Sequence, residues 1–283
     1  VSILDDGVGR VVKALSENKM LDNTIILFFA DNGAPIEIEH RNAGSNMPFK
    51  GQKESPWEGA MRSAAVIWSS LLKNRERTSN QLFHISDWLP TFAALAGVTV
   101  DQPIDGKNIW EALSCNVKNP RDDALLHLEY ADGLQSYLHD FGYQSYIRGA
   151  YKYINGTTYN GTYDYWMDYV DKSEKHPSFE RYEKRFQCFP MENPCLYNIV
   201  EDPCERKNIA SLQPFTLRMM EDEVIKMGMK APAVRNKPGE ERSNPSFFNR
   251  TWTWWYDELG IPDFPENLIR CKRQKSKFDS FSF

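Results

Sequence analysis

The chain has 283 residues, of which 34 are basic and 39 are acidic, giving a formal net charge of −5. This mildly acidic balance argues against a protein whose main task is to neutralise nucleic-acid phosphates. With 41% hydrophobic and 26% charged residues, the composition is that of a folded globular protein with one large or two ordinary domains. The longest purely apolar run, residues 25–30, is far shorter than the roughly 20 residues of a membrane-spanning helix. We therefore expect no nucleic-acid partner and no transmembrane segment.

The first part of the chain has the pattern of an α/β domain. Apolar residues at helical spacing over residues 5–19 predict a helix that faces the core. The continuous β-favouring run at residues 24–30 predicts a strand covered on both faces, and a second short strand is expected at residues 64–68. A helix that leads into such a strand is the repeating unit of a parallel sheet. The long polar segment between the strands, residues 31–62, is of the kind that usually carries function.

The second part of the chain has the pattern of an antiparallel sheet. Its strand-like pieces follow one another without helices between them, and they lie at residues 125–130, 145–148, 151–154 and 196–200. A helix at residues 214–227 is expected to cover this sheet, and residues 155–187 are interpreted as an insertion. We therefore predict that residues 1–120 belong to an α/β domain and that residues 121–283 form a smaller α+β domain.

Several features are typical of proteins on the secretory route. Asn-x-Ser/Thr sequons at Asn155, Asn160 and Asn249 lie in polar stretches and are candidate glycosylation sites. The five cysteines have no C-x-x-C spacing, so disulfides are a better interpretation than a zinc site, and the odd count leaves one thiol over. These features predict a lysosomal or secreted protein.

Asp31, Asn32 and Gly33 stand where the first predicted strand ends. Ligands of parallel α/β sheets gather at the carboxyl ends of strands, and a carboxylate followed by a carboxamide offers two hard oxygen donors for Ca²⁺ or Mg²⁺. The alternative is a plain turn, because Asp-Asn-Gly is a common turn sequence. From spacing alone, a metal site and a turn both remain open.

The chain resembles the sulfatase family, and in particular the C-terminal part of arylsulfatase B-type enzymes. The resemblance rests on motifs in matching order and spacing, among them FFADNG at 28–33, GSNMPFKGQK at 44–53, WEGAMR at 57–62, HISDWLPT at 84–91, IRGAYK at 147–152 and LYNIVEDPCER at 196–206. It implies the alkaline-phosphatase-like fold, a mixed or parallel sheet with flanking helices followed by a smaller antiparallel-sheet domain. It also implies hydrolysis of sulfate esters on aryl or glycosaminoglycan-type sugar substrates through a formylglycine nucleophile and one Ca²⁺ per site.

The resemblance also implies roles for individual residues. Asp31 and Asn32 correspond to the pair that completes the family's Ca²⁺ site, and Lys53 corresponds to the lysine that binds the sulfate group. Lys50 is a nearby competitor, whose alternative interpretation is a solvated loop charge. We prefer Lys53 because it shortly precedes the Trp57-Glu58-Gly59 motif, as the family's lysine does.

The family's nucleophile is not found in these residues. Sulfatases make formylglycine from a cysteine in a C-x-P-S-R context, and Cys188, followed by Phe-Pro-Met, lacks the Ser and Arg. The chain begins at Val1 without an initiator Met, and we expect it to be the C-terminal part of a sulfatase that is inactive alone. Two alternatives are a non-catalytic sulfatase-like binding module and a phosphodiesterase or phosphatase of the same superfamily. The Trp57-Glu58-Gly59 motif and Lys53 favour the sulfatase.

Overall fold

The computed structural model describes residues 1–36, 44–128, 141–166, 187–231 and 243–252. Residues 1–231 form one compact unit and residues 232–283 another. In the second unit, the described residues contain a short 3-10 helix, Pro245–Phe248, which begins where the Asn244 side chain accepts a hydrogen bond from the Ser246 amide. The predicted domain boundary at residue 120 falls inside the first unit and stays a prediction.

The amino-terminal elements are a helix and a two-stranded sheet. Helix α1 spans Ser2–Glu17, a 3-10 turn spans Leu21–Asn23, and strand β1 spans Ile25–Phe29. Strand β2, Ala65–Ser69, pairs with β1 in antiparallel register, with Ile25 opposite Ser69. The β-branched and aromatic residues of both strands fit a pleated surface, which explains why these segments are extended.

Two expectations for this region are wrong. The helix α1 has no buried residue, so it does not face a core in the described part of the chain. Strand β1 is not covered on both faces, because Phe28 and Phe29 are exposed, and its pairing with β2 is antiparallel rather than parallel. The physical reason is that composition selects the extended conformation, whereas the layers that pack on a strand decide its burial.

The helices described between β1 and the second sheet are short, and a buried ion pair fixes the start of one of them. Helix α2 spans Glu58–Met61, α3 spans Trp88–Leu95 and α4 spans Trp110–Cys115. A 3-10 turn, Ile85–Asp87, leads into α3. Its last residue, Asp87, accepts hydrogen bonds from the Arg121 guanidinium at 2.5 and 2.7 Å. The start of α3 is thereby fixed to the segment that precedes the second sheet.

The second sheet is antiparallel, as predicted. Its strands run in the order β3 (Asp123–Leu128), β4 (Phe141–Arg148), β5 (Tyr151–Thr158) and β6 (Cys195–Asn198). Helix α5, Pro214–Lys230, covers this sheet, which confirms the predicted covering helix. The core between them is formed by Tyr146, Tyr153, Leu196, Met220 and Val224.

The disulfide expectation is confirmed by a bond between Cys188 and Cys195. Among the described residues, Cys115 and Cys204 are free thiols, and Cys271 lies outside the described residues. Within the same described ranges, no helix has the length and apolar character needed to cross a bilayer.

Candidate functional site

The structure brings the segment after β1 together with the loop that carries Lys53. The Gly33 amide donates to the Ala60 carbonyl at 2.8 Å, and the Lys53 amide donates to the Ala34 carbonyl at 3.3 Å. A Cβ on Gly33 would stand 1.7 Å from the Gly59 carbonyl oxygen, so this close approach of two backbones requires glycine. Two of the predicted site segments are therefore neighbours, joined by main-chain hydrogen bonds.

Asn46 strengthens this junction, a role that was not predicted from the sequence. Its carboxamide nitrogen donates to the Ala34 carbonyl at 2.8 Å and to the Gly51 carbonyl at 3.2 Å, while its oxygen accepts from the Ala34 amide at 2.9 Å. The side chain therefore joins both sides of the site at once. Its place within the 44–53 motif was the signal that could have identified it.

The metal-ligand candidates are two oxygen donors side by side. The Asp31 side chain is exposed, and the Asn32 carboxamide nitrogen donates to the Gly33 carbonyl at 2.7 Å, which leaves its oxygen to act as a ligand. This chemistry fits Ca²⁺, which takes about 6–8 oxygen ligands. No group of three or more His, Cys, Asp or Glu side chains suited to a metal occurs in the described ranges. Asp31 and Asn32 therefore fit one part of a Ca²⁺ site and do not complete it.

Lys50 and Lys53 have different surroundings. The Lys53 side chain is half-buried, whereas Lys50 is only 5% exposed, with its Nζ 3.4 Å from the centroid of the Trp57 ring and 5.2 Å from that of Trp166. Burial lowers the pKa of Lys50 to about 8, against the opposing field of Asp164. The interpretation of Lys50 as a solvated loop charge is thus wrong. Because the Lys50 ammonium lies against indole rings, Lys53 remains the better candidate for binding an anion.

The residue after Lys53 has a strained backbone. Glu54 has φ of 72°, in the left-handed region that non-glycine residues seldom occupy. Its carbonyl accepts from the Thr158 hydroxyl at 2.6 Å, and its carboxylate accepts from the Tyr159 hydroxyl at 3.1 Å. Such strain persists only where surrounding contacts over-determine the conformation, and it tends to occur at functional sites.

A buried charge cluster lies beside the same loop. The Lys152 ammonium is 2.9 Å from Glu58 Oε1 and 2.9 Å from Glu205 Oε1, and the Glu58 amide donates to Glu205 Oε2 at 2.7 Å. Burial raises the pKa of Glu205 to about 7, although Lys152 opposes this shift. Burial alone would lower the pKa of Lys152, yet Glu205 and Glu58 raise it above its ordinary value.

Glu58 stands in the Trp57-Glu58-Gly59 motif, whereas no role was predicted for Lys152 or Glu205 from the sequence. A signal was present, since Lys152 interrupts an apolar strand run between Tyr151 and Tyr153, and a lysine inside a buried strand requires a charged partner.

Known proteins similar to this chain are sulfatases. The family model described as Sulfatase matches residues 1–98. Arylsulfatase J of Mus musculus is 31% identical over 269 residues, covering 91% of this chain and 44% of that protein. The chain is therefore similar to sulfatases. N-acetylgalactosamine-6-sulfatase of Homo sapiens is 37% identical over 112 residues, covering 39% of this chain and 22% of that sulfatase. The chain therefore spans less than half the length of these curated relatives.

Solved structures agree on the fold. The crystal structure of Ps i-CgsB in complex with k-i-k-neocarrahexaose has a TM-score of 0.58 and 22% sequence identity, covering 91% of this chain and 46% of that one. This similarity confirms the predicted α/β fold class. At this level of identity, it shows the shared fold alone.

The three sequons of the chain lie in different environments. Asn160 is exposed in a 3-10 turn with φ of 52°, and Asn249 is exposed with φ of 53°. Asn155 is half-buried within β5, and the hydroxyl of Thr157 in the same sequon is buried and donates to Asp164 at 2.5 Å. The interpretation of residues 155–187 as an insertion therefore begins too early, because β5 continues to Thr158; residues 167–186 lie outside the described residues.

Proposed function

We propose that this chain is part of a sulfuric ester hydrolase of the arylsulfatase B type, acting on sulfate esters of aryl groups or glycosaminoglycan-type sugars. The observation that carries the proposal is the main-chain hydrogen bond of 3.3 Å between Lys53 and Ala34. It supports the proposal because it places the candidate sulfate-binding lysine beside the segment that carries Asp31 and Asn32, as a shared site requires.

In the proposed site, Lys53 binds the sulfate group of the substrate. Its ammonium would neutralise the sulfate oxygens as negative charge develops during cleavage of the S–O bond, and such stabilisation is strongest where water is excluded. Asp31 and Asn32 would hold Ca²⁺ through their side-chain oxygens. When bound, the ion supplies further stabilisation of the same negative charge as a Lewis acid.

The nucleophile is proposed to come from outside these 283 residues. The sequence has no C-x-P-S-R segment from which formylglycine is made. We therefore propose that the chain alone is inactive and that turnover needs the segment that supplies formylglycine. The second candidate is a non-catalytic module that binds sulfate esters without cleaving them.

We propose a lysosomal or secreted location. The Cys188–Cys195 disulfide supports this location, because disulfides persist in oxidising compartments. The exposed sequons Asn160 and Asn249 support it as well, since a glycan at either position would point into solvent.

The test is a sulfatase assay of a longer polypeptide that contains this chain and, before it, the segment with the C-x-P-S-R motif. With 4-nitrocatechol sulfate and Ca²⁺, we expect turnover, and we expect Lys53→Ala to reduce kcat/KM at least tenfold, which corresponds to about 1.4 kcal/mol of transition-state stabilisation. The exposed Lys73→Ala is the matched control and should keep full activity.

The two candidate functions separate in this assay. Sulfate-ester binding that depends on Lys53, without any turnover, would favour the binding module. Equal activities of Lys53→Ala and Lys73→Ala would show that the role given to Lys53 is wrong.

A further inference from the structure

The loop that carries Lys53 is held mainly by residues from a distant part of the sequence. We define the lysine loop as residues 50–58. Its amides, carbonyls and side chains bond to the antiparallel sheet and to the segments that follow β5 and β6, and its partners there include Lys152, Thr158, Asp164, Tyr165 and Glu205. The position of the lysine loop is therefore set by the second sheet as well as by the segment after β1.

We propose that Lys152 and Glu205 are positioning residues that fix the lysine loop, and with it Lys53, for sulfate binding; this inference rests on the proposed function. Glu205 accepts from the main-chain amide of Glu58 at 2.7 Å, and Lys152 contacts the carboxylates of both glutamates at 2.9 Å. The two residues thus hold the end of the loop by its backbone and by its side chain at the same time.

The two residues are held in different ways. Lys152 lies on β5, which is hydrogen-bonded to β4 on one side and β6 on the other. Its side chain is completely buried, and so is that of Glu205. Glu205 has φ of 54°, a left-handed conformation that is costly for a residue other than glycine. A strained, buried residue with a fixed carboxylate can hold a neighbouring group in one position.

A purely stabilising role explains these charges poorly. A buried ion pair loses the hydration of both partners, and well-packed apolar residues in its place are often as stable or more stable. Three buried ionisable groups at one end of the loop are therefore better explained by a role in positioning the loop. A displacement of about 1 Å at a group that binds substrate can reduce the rate by about a hundredfold.

The first experiment measures how strongly the amides of the lysine loop are protected from exchange, and it does not require catalytic turnover. Amide hydrogen exchange of this chain would be followed by mass spectrometry in Lys152→Met, in Glu205→Gln and in the conservative Lys152→Arg. We expect exchange in peptides covering residues 50–58 to rise at least about tenfold in the first two variants and to be largely restored by Arg, with peptides of α5 unchanged. Glu205→Gln keeps the size of the side chain, so it remains informative if Lys152→Met fails to fold.

The matched control is Lys226→Met, which removes an exposed lysine from an ion pair with Glu223. It should leave the exchange of the lysine loop unchanged. Unchanged exchange at residues 50–58 in Glu205→Gln would overturn the proposal. A uniform rise across all peptides would overturn it as well, because that result describes general loss of stability.

The second experiment tests the link to sulfate binding in the polypeptide that includes a C-x-P-S-R segment. Glu205→Gln should lower kcat/KM for 4-nitrocatechol sulfate by at least tenfold without changing the thermal midpoint to the same extent as Arg121→Met. The positioning role would be overturned if Glu205→Gln kept an unchanged kcat/KM although exchange at residues 50–58 was raised. Absence of turnover in the unmodified polypeptide would refute the proposed function, while the exchange data would still report whether Lys152 and Glu205 hold the loop.

Discussion

At the scale of single residues, Lys50 shows how burial changes the behaviour of a side chain. Its pKa is lowered to about 8 from an ordinary value of 10.5, because burial disfavours the ammonium. Between these two pH values, the unfolded chain holds a proton that the folded chain has released. Folding stability therefore rises with pH from about 8 to about 10.5 on account of Lys50.

Replacing Lys50 by methionine should remove this rise. Lys50→Met keeps the length of the side chain and its packing on Trp57 but has no charge to desolvate, so we also expect greater stability at pH 7, by about 1–3 kcal/mol. Urea unfolding at pH 7, 8, 9 and 10 measures both effects. The exposed Lys73→Met is the control. The prediction would be refuted if the free energy of unfolding rose with pH above 8 as steeply in Lys50→Met as in the unchanged chain.

The sequence identified single residues where a motif named them, and it missed those defined by distant contacts. Asp31 and Lys53 were assigned by resemblance, and their roles stay predictions. The burial of Lys50 was missed, because one of its two indole partners, Trp166, lies more than a hundred residues further along the chain. Likewise, Lys152 and Glu58 are separated by 94 residues, and no local pattern joins residues so far apart.

At the scale of elements, the Asp87–Arg121 pair connects the start of α3 to the segment before β3. The Asp87 carboxylate is fully buried and also accepts from the amides of His84 and Lys107 at 2.9 and 2.8 Å. Although burial opposes ionisation, the bonds from Arg121, Lys107 and His84 hold the pKa of Asp87 below its ordinary value. Its contribution to stability is therefore present at neutral pH and is lost as the pH falls through the lowered pKa.

Removing the guanidinium should weaken this connection strongly. Arg121→Met leaves the Asp87 carboxylate buried without its cationic partner, and loss of one member of a buried pair costs about 3–5 kcal/mol. Chemical denaturation at pH 7 measures the loss. Lys226→Met breaks an exposed ion pair and should leave the denaturation midpoint unchanged. If Arg121→Met also had the midpoint of the unchanged chain, the Asp87–Arg121 pair would not join these elements.

Among the elements, the antiparallel sheet and α5 were predicted well, because alternating strands and a helix with clear ends are local signals. The antiparallel pairing of β1 with β2 was not predicted. In the structure, β2 lies beside β1 and runs in the opposite direction.

At the scale of the whole molecule, one face of the β1–β2 sheet is apolar and exposed. In the antiparallel register, Phe28 lies opposite Val66 and Ile26 lies opposite Trp68, so these four side chains share a face. The exposed fractions are 49% for Phe28, 65% for Val66 and 43% for Trp68. Contiguous apolar surface of this kind promotes association.

We expect this chain, expressed alone, to self-associate through that face. Replacing Phe28 and Val66 together by threonine keeps the preference for a strand and removes apolar surface, so it should shift the population toward monomer. Size-exclusion chromatography with light scattering measures the shift. Phe189 and Val200, also exposed, allow a matched control with the same two substitutions; an equal effect of both pairs would show that the β1–β2 face has no special role.

The distance in sequence between the lysine loop and its supports has a consequence during protein synthesis. Glu205 follows Glu58 by 147 residues. At a translation rate of about 5–20 residues per second, the loop leaves the ribosome roughly 7–30 seconds before the carboxylate that holds its end. During this time the nascent loop lacks its contact with Glu205. A product that terminates before residue 205 would contain Lys53 but lack this contact, which helps to position the lysine.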